Sequence, residues 1–180
     1  MPADVLSAMQ RWLQGAVIGL NLCPFAKAVH NKGQIRWVIS EATSAEALLL
    51  QLLQELQHLA HTPARKTDTT LLVHPLALQD FNDYNNFLAV VEAAVADTGL
   101  EGVLQVAPFH PQFRFAGTRA NALENNSNRS PYPALHLLRE KSVSRAVAAF
   151  PQPETIFEKN IVTLRKLGAE GYRKLLAGEA

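Results

Sequence analysis

The spacing of apolar residues divides the chain into alternating helices and strands. Apolar positions recur every three or four residues near the start, which predicts a first helix over residues 4–21. The same spacing returns in a leucine-rich stretch after a possible capping box at Thr43–Glu46, and again after Asp80 or Asn82 in a stretch that ends near Gly99. Short runs rich in β-branched residues predict strands at Ile35–Ile39, Thr69–Val73 and Val103–Ala107.

This order of elements predicts an α/β fold: a small, mainly parallel sheet of three to four strands, packed helices and a helical C-terminal part. Strand–helix–strand connections of this length favour right-handed crossovers, so the three strands should run broadly parallel. Phe113–Phe115 can add a short antiparallel edge strand, and Pro133 suits the first turn of the next helix. A split α+β sandwich built from the same elements is the alternative. We expect residues 1–180 to form a single domain.

Composition narrows the classes of function. Apolar residues make up 48% of the chain, charged residues 18%, and the net charge is +1, so bulk electrostatic capture of nucleic acid or of an anionic membrane is not expected. The N-terminus does not resemble a secretory signal, and no segment approaches the roughly 20 apolar residues of a membrane span. These features predict a cytoplasmic protein with no membrane partner. They leave its oligomeric state open.

The segment from Phe109 to Arg139 concentrates the candidate chemistry. It holds four of the ten arginines, no lysine and one carboxylate, Glu124. The guanidinium group is a rigid fork that matches carboxylates and phosphates, so this composition predicts a site for a small anionic molecule, either phosphorylated or carboxylated. The predicted binding residues are Arg114, Arg119, Asn126, Asn128, Arg129, Ser130, Tyr132 and Arg139.

Two histidines follow predicted strands. Ligands of parallel sheets bind beyond the carboxyl ends of the strands, so His74 and His110 should lie along one rim, where the arginine-rich segment begins. His110 stands between two prolines, which stiffen the backbone. It is a candidate general acid/base or metal ligand. The structural alternative is a histidine bonded to a carbonyl beneath the loop.

The polar run at residues 125–133 precedes the helix predicted at Pro133. A helix N-terminus attracts anions, and Arg129 beside it would strengthen such a site. The alternative is a surface turn that only caps the helix. On that helix, His136 and Glu140 would be one turn apart, which suits a proton relay or half of a metal site, although such pairs are more often simply solvated.

Cys23 is the only cysteine, so the chain can form no internal disulfide. Pro24 can begin a short helix with Cys23 as its N-cap, and Lys27 would lie one turn further on. Both features would lower the pKa of the thiol and make Cys23 a candidate nucleophile or soft metal ligand. The alternative is a small buried hydrophobic residue.

These residues support three hypotheses. The first is an enzyme that acts on a small anionic metabolite by group transfer or hydrolysis, with His110, His136 and Cys23 as catalytic residues. The sequence contains no redox-cofactor fingerprint and does not identify a cofactor. The second is a metal-binding protein that uses His74, His110 and His136, with Glu140 or Cys23. The third is a non-catalytic module that docks an acidic partner or RNA.

Three segments together resemble a bacterial family known as domain of unknown function 1415. They are Asn21–Phe25, Phe109–Gly117 and Asn128–Glu140, with sequences NLCPF, FHPQFRFAG and NRSPYPALHLLRE. The resemblance spans nearly the whole chain and implies a soluble, single-domain protein. It implies no activity and assigns no catalytic residue.

Overall fold

The computed structural model describes residues 2–179, so residues 1 and 180 of the predicted domain lie outside it. The α-helices are α1 (Pro2–Trp12), α2 (Ala26–Asn31), α3 (Ala45–His61), α4 (Phe81–Asp97), α5 (Glu140–Ala149) and α6 (Ile156–Ala177). The strands are β1 (Ile35–Ile39), β2 (Thr69–Val73), β3 (Leu104–Phe109) and β4 (Ala134–Arg139). A π-helix spans Leu13–Ile18, and 3₁₀ helices span Leu123–Asn128 and Pro153–Thr155. Within residues 2–179, no helix has the length and apolar character needed to cross a membrane.

The four strands form one mixed sheet in the order β1-β2-β4-β3. β1 and β2 pair in parallel through the crossover helix α3, which confirms an α/β fold. β4 pairs antiparallel with both β2 and β3, so β1, β2 and β3 share one direction. The prediction of a mainly parallel sheet is nevertheless wrong, because the inserted β4 leaves only one parallel pair.

The helix predicted to begin at Pro133 is also wrong, because the residues that follow form β4. Leu135 and Leu137 are fully buried on one face of the sheet, whereas Ala134 and His136 lie on the other, which is the alternation of a strand. The edge strand predicted at Phe113–Phe115 does not form. The rings of these two phenylalanines instead pack edge to face, with centroids 4.9 Å apart.

Apolar side chains cover both faces of the sheet. On the first face, helices α3 and α4 pack on Leu72, Leu104, Leu135 and Leu137. On the second face, α1, the π-helix and α6 pack on Leu71, Val73 and Ala134, with Trp12 fully enclosed. The face on which a strand residue lies therefore decides which of the two layers surrounds it.

The helix boundaries follow from local capping. Ser44, rather than Thr43, caps α3 by accepting from the Ala47 N–H, and Asp80 caps α4 as predicted. The predicted first helix over residues 4–21 divides into α1 and the π-helix. Gly19 ends the π-helix, where a Cβ atom would lie only 2.3 Å from the Gly15 carbonyl oxygen, so a larger residue does not fit.

The end of β3 is joined to the start of β4 by a side chain. The buried Tyr84 hydroxyl accepts from the Phe109 N–H at 3.0 Å and donates to the Ala134 carbonyl at 2.9 Å. Phe109 and Ala134 are opposite each other in the register of the two strands. Tyr84 thus inserts into the ladder at the point where the two strands meet the loop between them.

We predict that Tyr84→Phe lowers the free energy of unfolding by about 1–3 kcal/mol, because it leaves a buried donor and a buried acceptor without their shared partner. The measurement is equilibrium unfolding in urea. Tyr132→Phe is the matched control, because the half-buried Tyr132 hydroxyl makes no hydrogen bond to residues 2–179. Equal losses for the two variants would contradict the bridging role of Tyr84.

Candidate functional site

The sheet brings His74 and His110 together at the carboxyl ends of β2 and β3. Both side chains are fully buried. The Tyr84 ring lies 5.7 Å from the His74 ring and 5.0 Å from the His110 ring, measured between centroids. Strand topology therefore places these two histidines along the same rim, as predicted, although they lie far apart in the sequence.

Both histidines bond to the turn that leads from β2 into α4. His74 Nδ1–H donates to the Ala77 carbonyl at 2.9 Å, and His110 Nε2–H donates to the Leu78 carbonyl at 3.2 Å. Leu78 has φ +53°, a left-handed conformation that costs energy in a non-glycine residue. His110 Nδ1 accepts from the Gln112 N–H at 3.0 Å, so neither nitrogen of His110 is free in this arrangement.

Burial keeps these imidazoles neutral. It lowers the pKa of His74 to about 4, an effect to which the neighbouring His110 also contributes, and it lowers the pKa of His110. His74 Nε2 is buried and makes no hydrogen bond within residues 2–179. A proton on His74 would therefore be poorly solvated.

Arg129 is bound to the loop in which it lies. Its Nε–H donates to the Phe113 carbonyl at 3.0 Å, Nη1 to Asn126 Oδ1 at 3.4 Å, and Nη2 to the Ala120 carbonyl at 2.5 Å. The Tyr172 hydroxyl from α6 lies within 2.9 Å of the Asn126 and Arg129 carbonyls. Burial lowers the pKa of Arg129. The predicted helix N-terminus beside Arg129 does not exist, because β4 follows.

Asn125 stabilises the same loop, although it is not among the binding residues predicted from the sequence. It is fully buried, its Oδ1 accepts from the Phe115 N–H and the Thr118 hydroxyl, and its Nδ2 donates to the Arg119 carbonyl. The asparagine-rich run was the signal for a turn, but the sequence does not show which of its members points inward. Asn125 fixes the backbone that carries Arg119.

Three more of the predicted polar residues also bond inside the protein, whereas the half-buried Tyr132 hydroxyl makes no hydrogen bond to residues 2–179. Asn128 Nδ2 donates to the Pro108 carbonyl at 3.0 Å, and the buried Ser130 hydroxyl donates to the Tyr132 carbonyl at 2.6 Å. Asn126 is buried and accepts from Arg129. These contacts shape the loop and leave few polar groups for a ligand.

Arg114 and Arg119 are different, because both are exposed. Neither guanidinium makes a hydrogen bond or an ion pair with any residue of the described range 2–179. Glu124, the carboxylate of the arginine-rich segment, lies 4.0 Å from Arg165 of α6 instead. Of the four predicted arginine anchors, these two have their full bonding capacity available to a ligand.

Arg139 lies at the opposite end of the sheet, because β4 runs antiparallel to its neighbours. Its Nη2 is 2.7, 2.5 and 3.0 Å from the carbonyl oxygens of Leu59, Thr62 and Thr67. A cation at this position also suits the C-terminal end of α3. Arg139 therefore secures α3 to the sheet and is remote from the other predicted anchors.

His136 lies on the second face of the sheet, away from His74 and His110. Its Nε2–H donates to Thr69 Oγ1 at 2.6 Å, and the Thr69 hydroxyl donates to the Leu137 carbonyl. Burial lowers the pKa of His136 to about 4. The helical pairing of His136 with Glu140 is wrong, because α5 begins only at Glu140.

The described residues do not assemble the alternative metal site. The sheet separates His136 from His74 and His110, and no group of three His, Cys, Asp or Glu side chains within residues 2–179 is placed to hold a metal ion. His110 Nδ1 and His74 Nδ1 already bond to the backbone.

Cys23 does not cap a helix, because the N-cap of α2 is Phe25. The side chain packs in the apolar layer on the second face. Burial raises the pKa of the Cys23 thiol, an effect only partly opposed by hydrogen bonds from the Phe25 and Ala26 backbones. The prediction of a lowered thiol pKa is therefore wrong, and the neutral thiol is favoured near pH 7.

Comparison with known proteins shows the family to which the chain belongs. The model of a family described as "Protein of unknown function (DUF1415)" matches residues 4–174. The chain belongs to this family. No curated protein and no solved structure matches the chain significantly. Membership in DUF1415 confirms the resemblance carried by the three sequence segments, all of which lie within the match.

We predict that substitution lowers the free energy of unfolding much more at the largely buried Arg139 than at the exposed Arg114. Arg139→Met should lower the free energy of unfolding by about 2 kcal/mol, because it leaves carbonyls at the end of α3 without their charged donor. Arg114→Met, the control, should change it by less than about 0.5 kcal/mol, because the side chain is exposed and unpaired. Urea unfolding measures both. A small effect at Arg139 would show that water replaces its hydrogen bonds.

We also predict that stability falls as the pH decreases from about 6.5 to about 4. The folded state holds His74 neutral, with a pKa of about 4, whereas the unfolded chain takes up a proton below the ordinary histidine pKa. The loss from His74 alone is on the order of 3 kcal/mol, and His136 acts in the same direction. His74→Gln should make the pH dependence of urea unfolding shallower.

Proposed function

We propose that this protein binds a small anionic metabolite, phosphorylated or carboxylated, on the loop between β3 and β4. This loop comprises residues 110–133 and is called the arginine loop. The observation that carries the proposal is the pair of exposed, unpaired guanidinium groups of Arg114 and Arg119 on a loop with an internally bonded backbone. The two groups are the proposed anchors.

The buried polar residues support this proposal by fixing the loop before any ligand binds. Asn125 bonds to Thr118 and to the carbonyl of Arg119 itself. Arg129 joins the carbonyls of Phe113 and Ala120, which adjoin the two anchors in the sequence. Ordering a flexible loop opposes binding, so a loop that is already ordered gains affinity. The internal arginine therefore positions the external ones.

Competition from within the chain is also low. An arginine that is already paired must exchange one anion for another, and the gain is small. Glu124 lies next to Arg165, not next to either anchor. Because a guanidinium offers several N–H groups in one plane, two free ones suit phosphate or carboxylate better than isolated lysines would.

A catalytic step in the same site is the second part of the proposal. His110 lies at the base of the arginine loop, and its lowered pKa keeps it neutral near pH 7, which is the form that a general base requires. The basic nitrogen in this arrangement is Nδ1, which would first have to exchange the 3.0 Å bond from the Gln112 N–H for a substrate proton. Group transfer or hydrolysis is the reaction type that we propose. Cys23 and His136, on the other face of the sheet, are not part of it.

We predict that a phosphorylated or carboxylated metabolite raises the melting temperature and that its uncharged analogue does not. A ligand at 100 times its Kd adds about 2.7 kcal/mol to stability. The double variant Arg114→Gln/Arg119→Gln should reduce affinity at least about tenfold in calorimetry, because it removes both proposed anchors. Its fold should be unchanged, since both residues are exposed.

Arg145→Gln is the matched control, because Arg145 is exposed on α5, outside the arginine loop. An equal loss of affinity in this variant would show that the ligand responds only to overall charge. Binding of RNA that vanishes at high salt, with no response to any small anion, would favour the docking module instead. The proposal would be overturned if no phosphorylated or carboxylated metabolite raised the melting temperature of the parent protein.

A further inference from the structure

A groove of about 420 Å³ lies between α4 and the edge strand β3, on the first face of the sheet. Its floor is apolar and includes Leu88, Val91 and Val106. The volume falls within the range of about 300–1,000 Å³ that is typical of small-molecule sites. The floor and the size suit the aliphatic or aromatic body of a small molecule.

The charged residues of the groove all have the same sign. Glu92 from α4, Glu101 from the turn before β3, and Glu140 at the start of α5 line it, whereas no lysine, arginine or histidine does. None of the three carboxylates makes a hydrogen bond or an ion pair with residues 2–179. Carboxylates of one sign beside an apolar surface would attract a bound cation.

The edge of β3 does not favour an added peptide strand. Tyr84 bridges Phe109 to Ala134, so the odd-numbered residues of β3 direct their backbone groups toward β4. Of the even-numbered residues, Leu104 N–H is bonded to Leu100, Pro108 has no N–H, and the Pro108 carbonyl is taken by the arginine loop. One residue, Val106, is too little for strand addition.

We propose that this groove binds an organic cation, with an ammonium group near the carboxylates and an apolar body on the floor. The two requirements come from separate features, the charge from the glutamates and the apolar body from the floor. This site is distinct from the arginine loop in charge, lining and ligand class. It does not depend on the proposed anion site.

The test compares three probes by NMR titration of the full chain at neutral pH and low ionic strength. Phenethylamine carries both an ammonium group and an apolar body, 2-phenylethanol lacks the charge, and methylammonium lacks the body. We expect phenethylamine to bind at least about tenfold more tightly than either of the others, with shifts at α4 and β3. Added salt should weaken its binding.

Two variants and a control locate the site. Glu92→Gln/Glu101→Gln should weaken phenethylamine binding about tenfold, and Ala96→Phe, which fills the groove without changing charge, should abolish it. Glu154→Gln removes one exposed carboxylate outside the groove and should have no effect. The arginine-loop double variant Arg114→Gln/Arg119→Gln should bind phenethylamine like the parent.

Several results would overturn the proposal. Equal binding of 2-phenylethanol would show an apolar cleft without selectivity for charge, and an effect of Glu154→Gln equal to that of the groove variants would show diffuse electrostatics. A lysine-containing peptide that binds where phenethylamine does not would assign the groove to a protein partner. Failure of phenethylamine to bind the correctly folded parent would also reject the site.

Discussion

The structure depends on the position of β4 between β2 and β3. A central strand must pair its backbone on both sides, and β4 does so through antiparallel ladders, with the Tyr84 hydroxyl completing the one to β3. Neighbouring antiparallel strands need only about two to five residues to connect them, yet the arginine loop spans residues 110–133. Such long loops are usually either functional or disordered. This one is ordered by buried polar bonds, and that order is what the proposed binding site requires.

The sequence was sufficient to locate helices and strands whose local signals agree. Runs of β-branched residues located β1 and β2 at their observed bounds, and Asp80 located the start of α4. It was insufficient for β4. Leucines at positions 135 and 138 fit a helix, whereas those at 135 and 137 fit a strand, and a short apolar run cannot distinguish the two periods. Pro133 then favoured the helix. That single error led to two wrong predictions, a mainly parallel sheet and a helical pairing of His136 with Glu140.

The candidate site was predictable where it depends on strand direction and unpredictable where it depends on burial. His74 and His110 converge because β2 and β3 end at one rim, which the shared direction of these strands required. The roles of the four arginines could not be read from composition. A guanidinium that binds a ligand and one that binds the chain's own carbonyls are the same residue in sequence. Only the path of the loop and the reversed direction of β4 separate Arg129 and Arg139 from Arg114 and Arg119.

The buried polar side chains hold the backbone, and the exposed charged side chains face the solvent. The end of β3 lies between the groove and the arginine loop. Pro108 lines the groove, and its carbonyl accepts from Asn128 of the arginine loop, while the next residue bonds to Tyr84. A backbone held by both Asn128 and Tyr84 has little freedom to adapt to a ligand. Selectivity at the two proposed sites would then come from exposed side chains, arginines at one and glutamates at the other. The net charge of +1 conceals this arrangement, because it averages two local fields of opposite sign.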